Sequence, residues 1–146
     1  CVGGTKNGLA FGELVVTGDR RLADRVERAR KGLAQLASKQ RFLAAQLVAL
    51  YGGELWHELA VAANRAAADV AAQLAPVPGV RIAYPVEANA VFLRVPDALR
   101  RGLAEQFGAQ TFFVAGPLVR LVCSWDTTPG DVQRLVAFCR SPGTAT

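Results

Sequence analysis

The sequence holds no methionine, a single histidine and three cysteines in its 146 residues. A chain that opens Cys1-Val2-Gly3-Gly4 and contains no Met is expected to be part of a longer protein. Cys1, Cys123 and Cys139 are too few and too widely spaced for a disulfide framework, and they point to reduced thiols in a cytoplasmic protein. With no CxxC pair, and His57 as the one histidine, a zinc site lacks its ligands. No purely apolar run approaches the roughly 18 residues of a membrane span, and the start lacks the charged-then-apolar order of a signal peptide. Charged residues are 20% of the chain against 51% hydrophobic, so disorder is excluded and a packed core is expected.

The charge balance is also thin. Seventeen Lys and Arg against twelve Asp and Glu leave a formal charge of +5. Arg30-Lys31 and Lys39-Gln40-Arg41-Phe42 concentrate it, but Asp24 and Glu27 interrupt the basic run, and Glu27 can pair with Lys31 one helical turn on. That is the pattern of a solvated helix face. Nucleic-acid binding calls for a broad basic surface interleaved with aromatics, which is absent.

Alanine is what the chain has in excess, 26 residues, and alanine favours closely packed helices. Residues 9–17 read as a short strand closing at Gly18-Asp19. From about residue 21 to 51, Leu22, Val26, Ala29, Leu33, Leu36, Leu43, Leu47 and Leu50 keep helical spacing, with a break expected at Gly32 and an end at Gly52-Gly53. A further helix is predicted over 54–74, with Leu55, Leu59, Ala63, Ala66, Val70 and Leu74 as its stripe. Strands follow at 80–84 and 89–95, then a helix to Phe107 with Asp97 as N-cap. Strands at 110–114 and 118–125 precede a last helix opened by Thr128-Pro129-Gly130-Asp131, a capping box with Pro at the first helical position. Its buried face is Val132, Leu135, Val136 and Cys139. The expected architecture is α/β: a small, largely antiparallel or mixed sheet with helices on one face.

Two places carry residues with chemistry. Gly3-Gly4-Thr5-Lys6-Asn7-Gly8 sets one amine among small residues, where backbone and a planar ligand can approach closely. A lysine desolvated there loses basicity and becomes a nucleophile toward carbonyls, forming a Schiff base. The same spacing also suits a plain glycine-rich turn with its lysine in water. Arg120 shares a strand face with Val122 and Ser124, and a guanidinium in so apolar a strand calls for an anionic partner. A ligand carboxylate fits its fork, unless that face is simply solvated. His57, beside Trp56 with no acid or nucleophile evident nearby, reads as structural or exposed.

Taken in order, Gly3-Gly4-Thr5-Lys6-Asn7-Gly8, Ser38-Lys39-Gln40-Arg41-Phe42-Leu43-Ala44-Ala45-Gln46, Pro85-Val86-Glu87-Ala88-Asn89-Ala90-Val91-Phe92 and Val119-Arg120-Leu121-Val122-Cys123-Ser124-Trp125-Asp126 resemble the pyridoxal-phosphate-dependent threonine aldolases. These belong with the beta-eliminating lyases of the aminotransferase-like group. The resemblance implies the C-terminal portion of a fold-type I enzyme. Residues 1–20 would be the trailing edge of a large cofactor-binding domain, 21–51 an interface helical stretch, and 52–146 a small C-terminal domain.

It also implies roles. Lys6 would hold pyridoxal 5'-phosphate as a Schiff base, with Thr5 beside it. Arg120 would grip the substrate α-carboxylate, and Arg41 and Lys31 would reach the cofactor phosphate of a neighbouring subunit in a homodimer or homotetramer. Between Lys31 and Arg41 the chain departs from one branch of the family, which has a short glycine run there. The implied reaction is cleavage of threonine-like β-hydroxy-α-amino acids to glycine and an aldehyde. A β-eliminating lyase or hydroxymethyltransferase-like activity shares the same two anchors, and a helical oligomerisation module is the non-enzymatic alternative. In such enzymes the acid facing the pyridine nitrogen, the ring stacked on the cofactor and most of the phosphate cradle precede the lysine. The isolated 146 residues are therefore expected to bind cofactor poorly and turn over nothing.

Overall fold

Residues 1–113 and 116–141 are described by a computed structural model, Phe113 in its backbone only, and the chain divides into two units, Cys1–His57 and Glu58–Thr146. In the first, strands β1 (Val2–Gly3) and β2 (Glu13–Leu14) pair antiparallel, Val2 opposite Leu14, around one turn of 3-10 helix at Thr5–Asn7. The strand expected over 9–17 is therefore reduced to two residues. Gly12, at φ +122, turns the backbone out of the extended conformation just ahead of them.

Helices α1 (Arg20–Gly32) and α2 (Gln40–Tyr51) come from the long periodic stretch, and α3 (Leu55–Leu74) begins at the end of the unit. Asp19 caps α1 by accepting from the Arg21 amide at 2.8 Å. The helix ends at Gly32, as expected, but the residue that turns the chain lies beyond it. Ala34 turns left-handed at φ 54, its amide bonds Lys31 O and the Gln35 amide bonds Arg30 O. That hydrogen-bond pair is a Schellman motif, built here on alanine rather than glycine. The stripe that periodicity assigns to a core is largely open in this unit: Leu22, Leu33 and Leu36 are exposed, and only Leu9 and Leu50 among its large apolar residues are buried.

The second unit holds the core. Strands β3 (Arg81–Ile82), β4 (Ala90–Arg94), β5 (Gln110–Phe113) and β6 (Pro117–Val122) form one sheet in the order β3-β4-β6-β5, every neighbouring pair antiparallel. Helix α4 (Asp97–Phe107) links β4 to β5, and α5 (Pro129–Arg140) closes the chain. Val91 and Leu93 of β4 and Val119 and Leu121 of β6 alternate inward to meet Val70 and Leu74 of α3, Leu99 and Leu103 of α4, and Val132, Leu135 and Val136 of α5. All three helices thus bury their apolar stripes against one sheet face. Each fully covered side chain among these contributes about 1.5–3 kcal/mol of burial.

This is a mixed α/β architecture with antiparallel sheets, as the alternation and helical periods imply. The two sheet-flanking helices end as their sequences dictate, with one correction. Thr128 and Asp131 form the expected capping box on α5, with Pro129 at the first helical position. On α4 the N-cap is Pro96, not Asp97: its extended backbone (ψ 152) puts Asp97 inside the first turn, where the carboxylate pairs with Arg100 at 3.1 Å. Val114, the last residue of one expected strand, lies outside the described residues.

Candidate functional site

The Lys6 turn is built from glycine at both ends. Gly4 accepts from the amides of Asn7 and Leu9, both at 3.0 Å, and closes the loop over the buried Leu9 side chain. A Cβ on Gly4 would lie 2.0 Å from Leu9 Cδ1, so this approach admits no side chain without displacing the leucine. Gly8 leaves the turn at φ 101, a conformation that L side chains rarely adopt.

Three side-chain bonds then pin the turn from outside. Tyr51 Oη donates to Gly3 O at 3.1 Å, Asn7 Nδ2 donates to Trp56 O at 2.9 Å, and the Ala10 amide donates to Gln46 Oε1 at 3.0 Å. Lys6 sits between the first two anchors. Its backbone is fixed by residues from α2 and the start of α3, while its side chain is exposed, as is that of Thr5. The water-poor niche expected around Lys6 is not formed by these residues. The turn projects the amine outward, and Leu9 fills the space beneath it.

The basic residues of the same unit lie on the surface. Arg41 is in the first turn of α2, its guanidinium carbon 5.8 Å from the Phe42 ring centre. Lys31 pairs with Glu27 at 3.2 Å as the spacing predicts, both well exposed, so the pair contributes little. His57 is exposed and meets the edge of Trp56 at 5.6 Å between ring centres. No cluster of metal-ligating side chains occurs among the described residues.

In the second unit, Arg120 projects from β6 on the sheet face away from the core. Directly opposite are Phe92 on β4 and Gln110 on β5. One guanidinium nitrogen, Nη2, donates to Gln110 Oε1, and the guanidinium carbon lies 5.0 Å from the centre of the Phe112 ring. Nε is covered from solvent with no hydrogen-bond partner, alone among the buried side-chain polar atoms of the described residues. Among the described residues no carboxylate pairs with Arg120. A half-buried cation held by a neutral amide and an aromatic face keeps its full charge.

The sequence singled out Arg120 but not its setting. Gln110 and Phe112 precede it by ten and eight residues, and only the β6–β5 register brings them alongside. The contact of Tyr51 escaped notice for the same reason, as did that of Gln46, which was quoted only as part of a motif, since each acts on a segment more than thirty residues away. Asn89, within one of the quoted motifs, has a visible role: its amide donates to Cys123 O and its carbonyl accepts from the Cys123 amide, both at 2.8 Å, extending the β4–β6 ladder.

Comparison with known proteins agrees with the quoted motifs. No family model matches the chain. It is 38% identical over 141 residues to a low specificity L-threonine aldolase of Pseudomonas sp., covering 97% of this chain and 41% of that protein. It is 40% identical over 140 residues to the low specificity L-threonine aldolase of Pseudomonas aeruginosa, covering 96% of this chain and 40% of that one. The chain thus spans about two fifths of the length of the curated relatives it matches. At this level of identity, sustained over nearly its whole length, the chain is similar to a portion of these low specificity L-threonine aldolases.

Proposed function

We propose that this chain contributes the Schiff-base lysine and the carboxylate grip of an enzyme that cleaves β-hydroxy-α-amino acids such as threonine to glycine and an aldehyde. The identity to two low specificity L-threonine aldolases over 97% and 96% of the chain carries the reading. The residues suit pyridoxal phosphate in part. Lys6 offers a primary amine on a pinned turn, with no ion pair or hydrogen bond to a described residue to occupy it. Arg120 offers a half-buried guanidinium with hydrogens to spare. The remaining walls, which would make the Lys6 niche dry, belong in this reading to residues outside the 146.

The division of labour follows from the side chains. Lys6 holds the cofactor, with Thr5 next to it. Arg41, with Lys31, supplies positive charge for a phosphate across a subunit interface. Arg120 fixes the substrate carboxylate through paired N–H···O bonds, which sets rotation about Cα so that one bond stands where it can break. The cofactor, when bound, supplies an electron sink for the pair left as the Cα–Cβ bond opens. In this scheme residues 1–20 finish a large cofactor domain, and residues 52–146 are the small domain of a fold-type I enzyme. The exposed apolar side chains of the first unit, among them Val16, Leu33, Phe42 and Val48, support a homo-oligomer that covers them. Two buried free cysteines suit a reducing compartment.

The test uses the full-length protein with pyridoxal phosphate. A cofactor absorption band that disappears in Lys6→Ala, together with acetaldehyde release from threonine, supports the proposal. Pyruvate from serine without acetaldehyde from threonine replaces the aldolase with a β-eliminating lyase. A band unchanged by Lys6→Ala removes the lysine from its role.

A further inference from the structure

The carboxylate reading of Arg120 leaves a question about its aim. A guanidinium on a flexible stem points many ways, and gripping one carboxylate in one orientation requires that most of them be removed. Three observations bear on this. The cross-strand register puts Gln110 directly opposite Arg120, so the two side chains share a sheet face, and Gln110 Oε1 accepts from Nη2. Phe112, two residues along the same strand and therefore on the same face, lies 5.0 Å from the guanidinium carbon. Nε is covered from solvent without a partner.

A guanidinium has five N–H hydrogens, one on Nε and two on each Nη. The one on Nε is shut off from solvent and from any incoming ligand. One on Nη2 is held by Gln110. The hydrogens left are both of those on Nη1 and the second on Nη2, and these support an end-on fork across the two Nη atoms. The side-on fork through Nε is closed.

Resting on the carboxylate reading of Arg120, we infer that Gln110 is a positioning residue: it locks the Arg120 guanidinium so that the substrate carboxylate is taken end-on, with Phe112 as the surface against which the guanidinium lies. Gln110 suits this because its amide is neutral. It fixes the cation without cancelling the charge, which a carboxylate in the same place would do.

The experiment uses the full-length protein with pyridoxal phosphate and reads KM and kcat for threonine, with calorimetric binding of glycine as a measurement independent of turnover. Gln110→Leu removes the acceptor at similar size. It is expected to raise KM and the glycine dissociation constant together by about tenfold, the size of one lost hydrogen bond to a charged group, with kcat within about twofold. Gln110→Glu keeps the acceptor but competes with the substrate for the cation. It is expected to raise KM further than Gln110→Leu, an order that a merely structural residue does not produce. Unchanged KM and glycine binding in both variants, while Arg120→Gln weakens both, overturns the role of Gln110 and leaves the carboxylate grip standing. Unchanged KM in Arg120→Gln overturns the grip itself.

Discussion

Tyr51, the last residue of α2, donates its hydroxyl hydrogen to the carbonyl of Gly3, three residues ahead of Lys6, at 3.1 Å. Together with the Asn7–Trp56 bond at 2.9 Å it brackets the lysine on both sides. A turn of three residues cannot hold its own geometry in water, and these bonds tie it to helices. Tyr51→Phe and Asn7→Ala are each expected to weaken the turn by about 1 kcal/mol, as for a single neutral hydrogen bond. Amide hydrogen exchange at Asn7 and Leu9, whose N–H groups bond Gly4 O, measures this directly. Exchange unaltered in both variants would mean that the turn is held by something else.

The α5 cap gives a pH-dependent prediction. The hydroxyl of Thr128 and its backbone amide both bond the Asp131 carboxylate, Arg134 adds a third donor, and these hold the Asp131 carboxyl below its ordinary value of 3.8. A depressed folded-state pKa gives stabilisation that is complete above the unfolded value and is lost as pH falls through the folded one. Thr128→Ala is expected to lower stability by about 1 kcal/mol at pH 7, the ordinary loss of an N-cap. As pH falls below the ordinary value of 3.8, where the unfolded chain takes up the proton, and on through the lowered folded value, the gap between wild type and variant should narrow. Urea unfolding at pH 7 and pH 3 checks it, and a gap independent of pH removes Asp131 from the account.

Capping and periodicity were legible because they act over three or four residues. The α5 box and the inward faces of α4 and α5 follow from such short patterns, whereas the sheet, expected as largely antiparallel or mixed, is antiparallel in every pair through long-range register. Leu22, Leu33 and Leu36 show where the reasoning stops, since helical spacing identifies an apolar face but not what covers it, and within this unit nothing does. Lys6 and Arg120 were found because their residue types are chemically distinctive. Gln110, Phe112 and Tyr51 were not, because ordinary residues acquire their roles only through strand order and long-range bonds.

The end of α1 shows a local rule met by an unexpected residue. Ala34 occupies the left-handed position of the Schellman motif at φ 54, where its Cβ is strained and glycine has no penalty. Ala34→Gly is therefore expected to stabilise the protein. The gain is about 0.5–1 kcal/mol, since the relief exceeds the extra chain entropy glycine brings to the unfolded state. Thermal unfolding measures it. A lower melting temperature in the variant would contradict the strain argument.

The three cysteines differ in a way that a reagent can read. Cys123 and Cys139 are buried, while Cys1 is exposed. Desolvation disfavours the thiolate, raising the Cys123 thiol and pushing Cys139 from 9.0 up to about 11. A thiol must ionise to attack iodoacetamide, so at pH 8 both obstacles, cover and protonation, protect the buried pair. Of these three, Cys1 alone should be alkylated in the native protein, and all three in urea. The raised folded-state value also sets a stability trend: the benefit of a neutral buried Cys139 is complete below pH 9 and declines as pH rises through about 11. Peptide mass spectrometry after timed labelling decides the first point. Modification of Cys139 at the rate of Cys1 in native protein would mean that α5 opens from the sheet far more often than its buried Val132, Leu135 and Val136 permit.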